Sequence, residues 1–405
     1  MDCIFACDAG TSAVKAALIS PKGTVFCERR ASVYAKPSAA EYLHAFFSLF
    51  IEMRLFAQEK KLRIAGICIS GNGPSLVSVT NVRPYWGEGP ETKFSPLYDE
   101  LLLWNENPLY ELFLSDAETT FFESLQNSGS IFLPRIFLLA KKLAAEKMYT
   151  PHVFLPLPEY ISWVLTGNAV CFLPESRYQK AYWFPSDIQR LEEFFNENET
   201  IFSKSFSLPE IMPPFAPTGT VIGQFKSIPV IAGAPDFFAA LAGTKTITPL
   251  SACDRAGSTE GLNVCIGVPP ENAAPFRLLP SVIEPNWNIS VLLGRTGHFF
   301  KLYSRRQSEH NELCSFFETL NTAIAKLEAA AGTRLAFTLS GGQALNCDWN
   351  QLKAERTNRR FLVPQTVNGE LLGDAIFGFT ALQYFSDFAD AAQSIVHISQ
   401  SFEPR

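Results

Sequence analysis

Two short apolar runs, Cys3 to Cys7 and Ala13 to Leu18, flank Asp8-Ala9-Gly10-Thr11-Ser12 near the start of the chain. The pattern predicts two strands joined by a tight loop. Pro21-Lys22-Gly23 then turns the chain, and Thr24 to Glu28 is expected to return as a third antiparallel strand. At Leu43 the period changes: Leu43, Phe46, Phe50, Met53 and Ala57 recur at helical spacing as far as Lys60-Lys61, basic residues that suit a helix C-terminus. Ile64 to Ser70 reads as a buried strand that runs into Gly71-Asn72-Gly73-Pro74 and a further apolar run, Leu76 to Val79.

The middle of the chain has weaker signals. Leu101 to Leu103 suggests a short strand ending at Trp104, Pro134 to Glu146 a helix, and Pro158 to Leu165 another helix stopped by Gly167. Segment 208–218, with four prolines, is expected to be a linker. Pro229 to Ala232 then leads through Gly233-Ala234-Pro235-Asp236 into a helical start, Phe237 to Gly243. Next, Ala252-Cys253-Asp254-Arg255-Ala256-Gly257-Ser258-Thr259 repeats Ala6-Cys7-Asp8-Ala9-Gly10-Thr11-Ser12 with one residue inserted, and the apolar run Leu262 to Ile266 follows. A second strand-loop-strand opening the second half is what a duplicated fold shows. From Ser308, an expected N-cap, Leu313, Phe317, Leu320, Ile324, Leu327 and Ala331 form one helical stripe that Gly332 stops. Leu335 to Leu339 is expected as a strand, Ser340-Gly341-Gly342-Gln343 as a glycine turn, Leu345 to Glu355 as a helix, and Leu371 to Phe385 as the closing helix. Three antiparallel strands followed by alternating helix and strand is the order of a ribonuclease H-like α/β half-domain.

Composition narrows the class. At 405 residues, two domains are the starting expectation, and 47% hydrophobic with 18% charged residues excludes extensive disorder. A net charge of -6 without a basic run argues against a nucleic-acid partner, so an anionic ligand has to be held by a local site. Nine cysteines without a CxxC pair read as reduced core thiols of a cytoplasmic protein, and the five histidines have no metal-binding spacing. The apolar stretch Tyr42 to Phe56 contains Glu52 and Arg54, so neither a signal peptide nor a membrane span is indicated.

The first loop carries candidate chemistry. Gly10 allows close backbone approach, Thr11 and Ser12 supply hydroxyl and N–H donors, Lys15 adds positive charge, and Asp8 can hold a hydrated magnesium ion. Those groups suit a nucleotide's terminal phosphates; without a ligand, the same residues make a hairpin turn. The Gly341-Gly342 turn presents N–H groups at a helix start, either as an anion contact or as a tight connection.

Taken in order, these landmarks resemble the FGGY family of carbohydrate kinases, relatives of xylulokinase and glycerol kinase within the actin-like ATPase superfamily. Asp8 to Lys15 is similar to the family's first phosphate motif, Ile64 to Gly73 to its sugar-side strand and loop, and Leu103-Trp104 to its substrate-side tryptophan. Gly233-Ala234-Pro235-Asp236 is similar to the Gly-x-x-Asp segment, Gly257-Ser258-Thr259 to the second phosphate motif, and Gly341 to Asn346 with Trp349, Gln351 and Ala354 to the adenosine motif.

The resemblance implies an α/β fold of two ribonuclease H-like domains with a cleft between them: 1–245 sugar-binding and catalytic, 246–405 a shortened nucleotide-binding domain. It implies ATP-dependent phosphorylation of a sugar or polyol, with a ketopentulose such as xylulose as the first expectation, Asp236 as general base and Mg2+ held by Asp8 and Asp236. Gly10, Thr11, Ser12, Lys15, Gly257, Ser258 and Thr259 would bind phosphate, and Gly341, Gly342, Gln343 and Asn346 the nucleotide. Asn72, Gly73, Trp104, Glu106 and Asp236 would meet the substrate. The expected partners are the small-molecule sugar or polyol and ATP/ADP, with no nucleic acid and no membrane, and the resemblance leaves room for a homodimer.

Three features depart from the family pattern. After Trp104, Glu106 replaces the usual Asp, and Pro108 stands where an Arg is usual. Phe237 replaces a polar residue after the base, and the stretch from Phe300 to Leu335 is short. Phe237 is expected as a core aromatic, or else as one that narrows the sugar pocket, whereas the lost Arg and the shortened second domain motivate an alternative: a degenerate homologue that binds sugar or nucleotide as a sensor with little turnover. An actin-like ATPase acting on protein partners is a third reading, weakened by Asp236.

Overall fold

The computed structural model describes residues 1–79, 100–107, 112–145, 153–198, 214–257, 259–271, 274–294, 296–304 and 310–405. The chain divides into two compact units, one of Met1–Ala6, Ala17–Cys27 and Phe237–Arg405, the other of Cys7–Ala16 and Glu28–Asp236.

The opening elements are strands β1 (Asp2–Ala9), β2 (Ala13–Ile19) and β3 (Val25–Ser32), helix α1 (Ala39–Glu59) and strand β4 (Arg63–Gly71). Helix α1 starts where Ser38 and Glu41 cap each other reciprocally, satisfying two N–H groups that the first turn leaves open. It buries the expected stripe: Leu43, Phe46, Phe50, Met53 and Ala57 are all almost inaccessible to solvent. Burying each large apolar side chain stabilises by about 1.5–3 kcal/mol, so this face holds the helix to its sheet.

The chain continues through β5 (Leu76–Val79), β6 (Glu100–Leu102), α2 (Asp116–Asn127), α3 (Leu133–Ala145), β7 (Val153–Pro156) and α4 (Leu157–Thr166). Then come β8 (Cys171–Leu173), α5 (Gln179–Tyr182), α6 (Pro185–Glu197), β9 (Phe215–Pro217), β10 (Val221–Phe225), β11 (Ile228–Pro235) and α7 (Asp236–Gly243). As expected, Gly167 ends α4 in the left-handed region, at φ 79°. The linker expected over 208–218 is corrected in part. Residues 208–213 lie outside the described residues, but Phe215–Pro217 is a strand paired in parallel with β8, where Pro217 is tolerated because the strand is an edge.

The first large sheet has the order β10-β11-β4-β1-β2-β3. Strand β11 runs parallel to β4, with Ala232 beside Ile69 and, after a shift of register, Pro235 beside Gly71. Gly233 permits this shift, since a Cβ there would stand 1.9 Å from the Ile69 carbonyl oxygen.

The remaining elements are β12 (Ala252–Ala256), β13 (Glu260–Ile266), β14 (Arg277–Pro280), β15 (Trp287–Gly294), α8 (Gly297–Ser304) and α9 (His310–Ala331). They are followed by β16 (Phe337–Ser340), α10 (Cys347–Thr357), β17 (Phe361–Pro364), α11 (Gly369–Ala381), α12 (Phe388–Ile395) and β18 (Ile398–Phe402). Their sheet has the order β14-β15-β13-β12-β16-β17-β18. Reading outward from the hairpins, β3-β2-β1-β4-β11 and β15-β13-β12-β16-β17 follow the same order, while the outermost strands differ, β10 preceding its neighbour in the chain and β18 following its own. The short sequence repeat therefore opens two copies of one five-strand arrangement.

The α9 stripe packs Phe317, Leu320, Ile324 and Leu327 with Trp349 in one core, and Gly332 follows the helix at φ 67°. The expected N-cap, Ser308, lies outside the described residues. The closing helix is corrected: α11 ends at Ala381, Gln383 takes a left-handed φ of 61°, and Asp387 caps a separate α12 by accepting from the Asp390 N–H. The helix expected over Leu345 to Glu355 is also corrected, because a 3-10 turn over Gly342–Leu345 precedes α10. Helices α7 and α11 meet almost backbone to backbone: a Cβ on Gly373 would lie 2.0 Å from the Ala239 carbonyl oxygen, and one on Gly243 1.9 Å from that of Gly369.

Candidate functional site

The loop after β1 is fixed by its own backbone. Gly10 N–H donates to the Ala13 carbonyl at 3.1 Å, and a Cβ on Gly10 would sit 3.1 Å from that oxygen and 3.4 Å from Asp8 Oδ2. Asp8 is 3% exposed and its Oδ2 lies 3.2 Å from Lys15 Nζ. Tyr42 donates its hydroxyl to the Gly10 carbonyl at 3.1 Å, and burial pushes its phenol up to about 12.

A closed circuit of hydrogen bonds surrounds this loop. Asn72 donates both its backbone N–H and its side-chain amide to the Ala9 carbonyl, each at 3.1 Å, and accepts the Ser75 hydroxyl proton. Ser75 Oγ accepts from Trp104 N–H at 3.0 Å, and the Trp104 indole N–H donates to Thr11 Oγ1 at 2.7 Å. The indole face remains half exposed. Glu106 turns back into its own turn, where it accepts from the Leu103 N–H at 2.8 Å. Arg135 of α3 donates to the carbonyls of Leu102, Leu103 and Trp104, so a guanidinium from elsewhere in the chain supports this turn. Burial pushes Arg135 down to about 10, with the Glu106 charge opposing the shift.

Asp236 begins α7, directly after the β11 residue that pairs with Gly71. Gly71 in turn abuts Ala9, where an added Cβ would come within 3.0 Å of the Ala9 Cβ and carbonyl oxygen, and Gly73 faces Pro235. Three adjacent strands, β1, β4 and β11, thus end side by side, and with neighbouring strands about 4.8 Å apart Asp236 starts about 10 Å from Gly10 along that edge.

In the other unit the loop after β12 is held from behind. Gly257 N–H donates to the Thr259 carbonyl at 2.9 Å, while the Gly257 carbonyl accepts from Gln343 Nε2 at 2.8 Å. Ser258 lies outside the described residues, and Thr259 is exposed. Gly341 adopts φ 93°, and a Cβ on it would come within 2.5 Å of the Ala256 carbonyl oxygen, so only glycine fits there. A Cβ on Gly342 would meet nothing within 4 Å. Gln343 Oε1 accepts the Trp349 indole N–H at 3.0 Å, and Asn346 caps α10 by accepting the Trp349 backbone N–H at 2.8 Å.

Beneath this loop lies a charge cluster that sequence reading missed. Lys353 Nζ, 1% exposed, is 2.7 Å from Asp254 Oδ2 and 2.7 Å from Glu260 Oε1. Burial and the nearby Glu260 charge push Asp254 up to about 7 against the pull of Lys353. Burial would lower Lys353, but the two carboxylates outweigh it and hold its ammonium above the usual lysine range. The available signal was Asp254, the counterpart of Asp8 in the repeat. Nothing in the α10 sequence marks Lys353 as interior, since lysine is rarely buried unless paired.

The structure therefore gathers Asp8, Gly10, Thr11, Ser12, Lys15, Asn72, Gly73, Trp104, Glu106 and Asp236 in one unit, and Gly257, Thr259, Gly341, Gly342, Gln343 and Asn346 in the other. Lys15 and Glu106 already have protein partners.

The fold is shared with solved structures of carbohydrate kinases. Glycerol kinase of Plasmodium falciparum with ADP matches at a TM-score of 0.72 and 13% identity, covering 100% of this chain and 94% of that one. Ligand-bound xylulose kinase of Lactobacillus acidophilus matches at 0.69 and 14% identity, and gluconate kinase of the same organism at 0.68 and 14%, with the same coverage in each case. No protein-family model and no curated protein matches the sequence. What the chain shares with these kinases is thus the fold over its whole length. Among the described residues, no helix is long and apolar enough to cross a membrane.

Proposed function

We propose that the protein is an ATP-dependent sugar or polyol kinase with Asp236 as its general base. The observation that best supports this is the strand-end edge on which Asp236 follows Pro235 beside Gly71, which abuts Ala9 of the Gly10 loop. A sugar hydroxyl is a weak nucleophile, so a carboxylate that accepts its proton during in-line attack on the γ-phosphoryl group lowers the barrier. The Gly10 loop, with the Thr11 and Ser12 hydroxyls, would orient the terminal phosphates, and Lys15 would add positive charge.

The glycine cradle fits a nucleotide: Gly341 leaves no room for a side chain, whereas Gly342 opens onto free space at a helix start. Together with Gln343 and Asn346, these residues would hold the nucleoside, and Gly257, Ser258 and Thr259 would hold its phosphates. Asp8, an almost buried carboxylate at the mouth of the Gly10 loop, fits a magnesium ion that brings most of its ligands as water and phosphate, with Asp236 as the second carboxylate. When bound, the ion would supply neutralising charge to the phosphates. Trp104 offers an apolar face to a sugar ring, with Asn72, Gly73 and Glu106 around it. A ketopentulose such as xylulose is the first acceptor to test, then glycerol and other polyols.

The sensor reading draws on the pairing of Lys15 with Asp8 and of Glu106 with its own turn, which commits two ligand groups to the protein. ADP release with magnesium, measured over ketoses, polyols and sugar acids, separates the two. Acceptor-dependent release that falls at least about 100-fold in Asp236→Asn supports the kinase. Sugar binding without release would overturn it in favour of the sensor.

A further inference from the structure

Arg255 and Arg277 converge on Phe237, with guanidinium carbons 5.2 Å and 5.6 Å from its ring centroid. They come from strands that are not neighbours, since β13 and β15 separate β12 from β14. The sheet register explains how they meet. Arg277 pairs with Ser290, Ser290 with Asn263 and Asn263 with Cys253, so these residues share one sheet face, and Arg255, two places after Cys253, lies on it too. Opposite Arg255 stands Gly261, which adds no side chain to this face.

Two like charges drawn to one ring repel each other, and among the described residues neither guanidinium has a carboxylate within 4.0 Å. Cation–π attraction to a phenylalanine offsets only part of that repulsion. Guanidinium charge that no protein carboxylate answers is what a bound oxyanion completes.

We propose that Arg255 and Arg277, which meet at Phe237, form a binding site for an oxyanion, carboxylate or phosphoryl, carried by the protein's ligand. Phe237 follows the proposed base in the chain, which suggests an acidic acceptor as the first source and the nucleotide phosphates as the second. The kinase reading, on which the proposal rests, guides that choice of ligands. The apolar Phe237 then has a role: its ring is the common neighbour that holds both guanidinium groups close.

Calorimetric titration of the full chain tests the proposal with matched pairs: gluconate against glucitol, glycerol 3-phosphate against glycerol, and ADP alone. At least one acid should bind tenfold or more tightly than its neutral partner, and Arg255→Gln/Arg277→Gln should abolish that preference while leaving the neutral ligand's affinity unchanged. A tenfold loss confined to ADP would assign the same site to the nucleotide. Arg255→Lys/Arg277→Lys, which keeps the charge but not the fork, should retain part of the preference and guards against a folding defect in the glutamine variant. Equal binding of acid and neutral ligands together with unchanged ADP affinity in the glutamine variant would overturn the proposal. Because binding is read without turnover, a protein that holds acids through the arginines yet never releases ADP would sink the kinase and leave this site standing.

Discussion

Lys353 Nζ lies 2.7 Å from Asp254 Oδ2 in an environment from which solvent is excluded, and Glu260 holds the same nitrogen from the other side. A cation shared between two carboxylates leaves the cluster with excess negative charge unless a carboxyl takes up a proton. Removing the cation leaves the two acids facing each other, so Lys353→Met should destabilise the fold by about 3–5 kcal/mol in urea titrations. Adding Asp254→Asn and Glu260→Gln to that variant should recover much of the loss. Asp254, pushed up to about 7 from 3.8, keeps its proton in the folded chain over a range where the unfolded chain has lost it. Its contribution therefore makes stability fall as pH rises from about 4 to 7, and Asp254→Asn should flatten that part of the profile.

Gln343 links the Gly257 carbonyl to the Trp349 indole. Gln343→Leu breaks both bonds at nearly constant volume and should cost about 1–3 kcal/mol in stability. If the Gly257 loop holds phosphates, the same change should raise KM for ATP roughly tenfold, equivalent to about 1.4 kcal/mol, with a smaller effect on kcat. An unchanged KM would separate Gln343 from nucleotide binding.

Glu159 is a fully interior carboxyl on α4 that accepts the Phe172 N–H at 2.9 Å, and burial pushes it up to about 8. The unfolded chain releases this proton from about pH 4.5, whereas the folded chain holds it to about pH 8, so stability declines across that window. Glu159→Gln should remove the decline and leave the variant more stable than the parent at pH 8 by on the order of 4 kcal/mol. Thermal melts at pH 5 and pH 8 check both the sign and the window.

Two glycines should respond in opposite ways. Gly373→Ala places a Cβ 2.0 Å from the Ala239 carbonyl oxygen, so α11 must move off α7, and a loss of about 3 kcal/mol or more is expected despite alanine's higher helix propensity. Gly342→Ala meets nothing and should change stability by less than about 1 kcal/mol. A loss of ADP affinity in stable Gly342→Ala would mark the open space there as the nucleotide's.

What the chain disclosed in advance follows from how far each signal reaches. Helix α1 and the α9 stripe were readable because a long amphipathic period is local, and the β1–β2 and β12–β13 openings because the same small residues recur in both. Strands β5, β6 and β7 were not readable as one sheet, since each has only three or four residues and their partners lie far along the chain. At the site, Asp8 and Asp236 stood out as acids at the ends of apolar runs. Arg135 and Lys353 did not, because a cation's partner is set by tertiary contact, and Arg255 and Arg277 meet only through the register of four strands.

The distribution of sulfur offers a practical handle. Cys3, Cys7, Cys27, Cys68, Cys171, Cys253 and Cys265 are buried, and burial drives the thiols of Cys3 and Cys265 up to about 12, out of reach of mild alkylation. Cys347, the first residue of α10 and the neighbour of Asn346, is exposed. Cys314 is partly exposed, so with Cys314→Ser a thiol-directed fluorophore would attach at Cys347, next to Asn346, and a change in its emission on adding ADP would test whether a nucleotide arrives there.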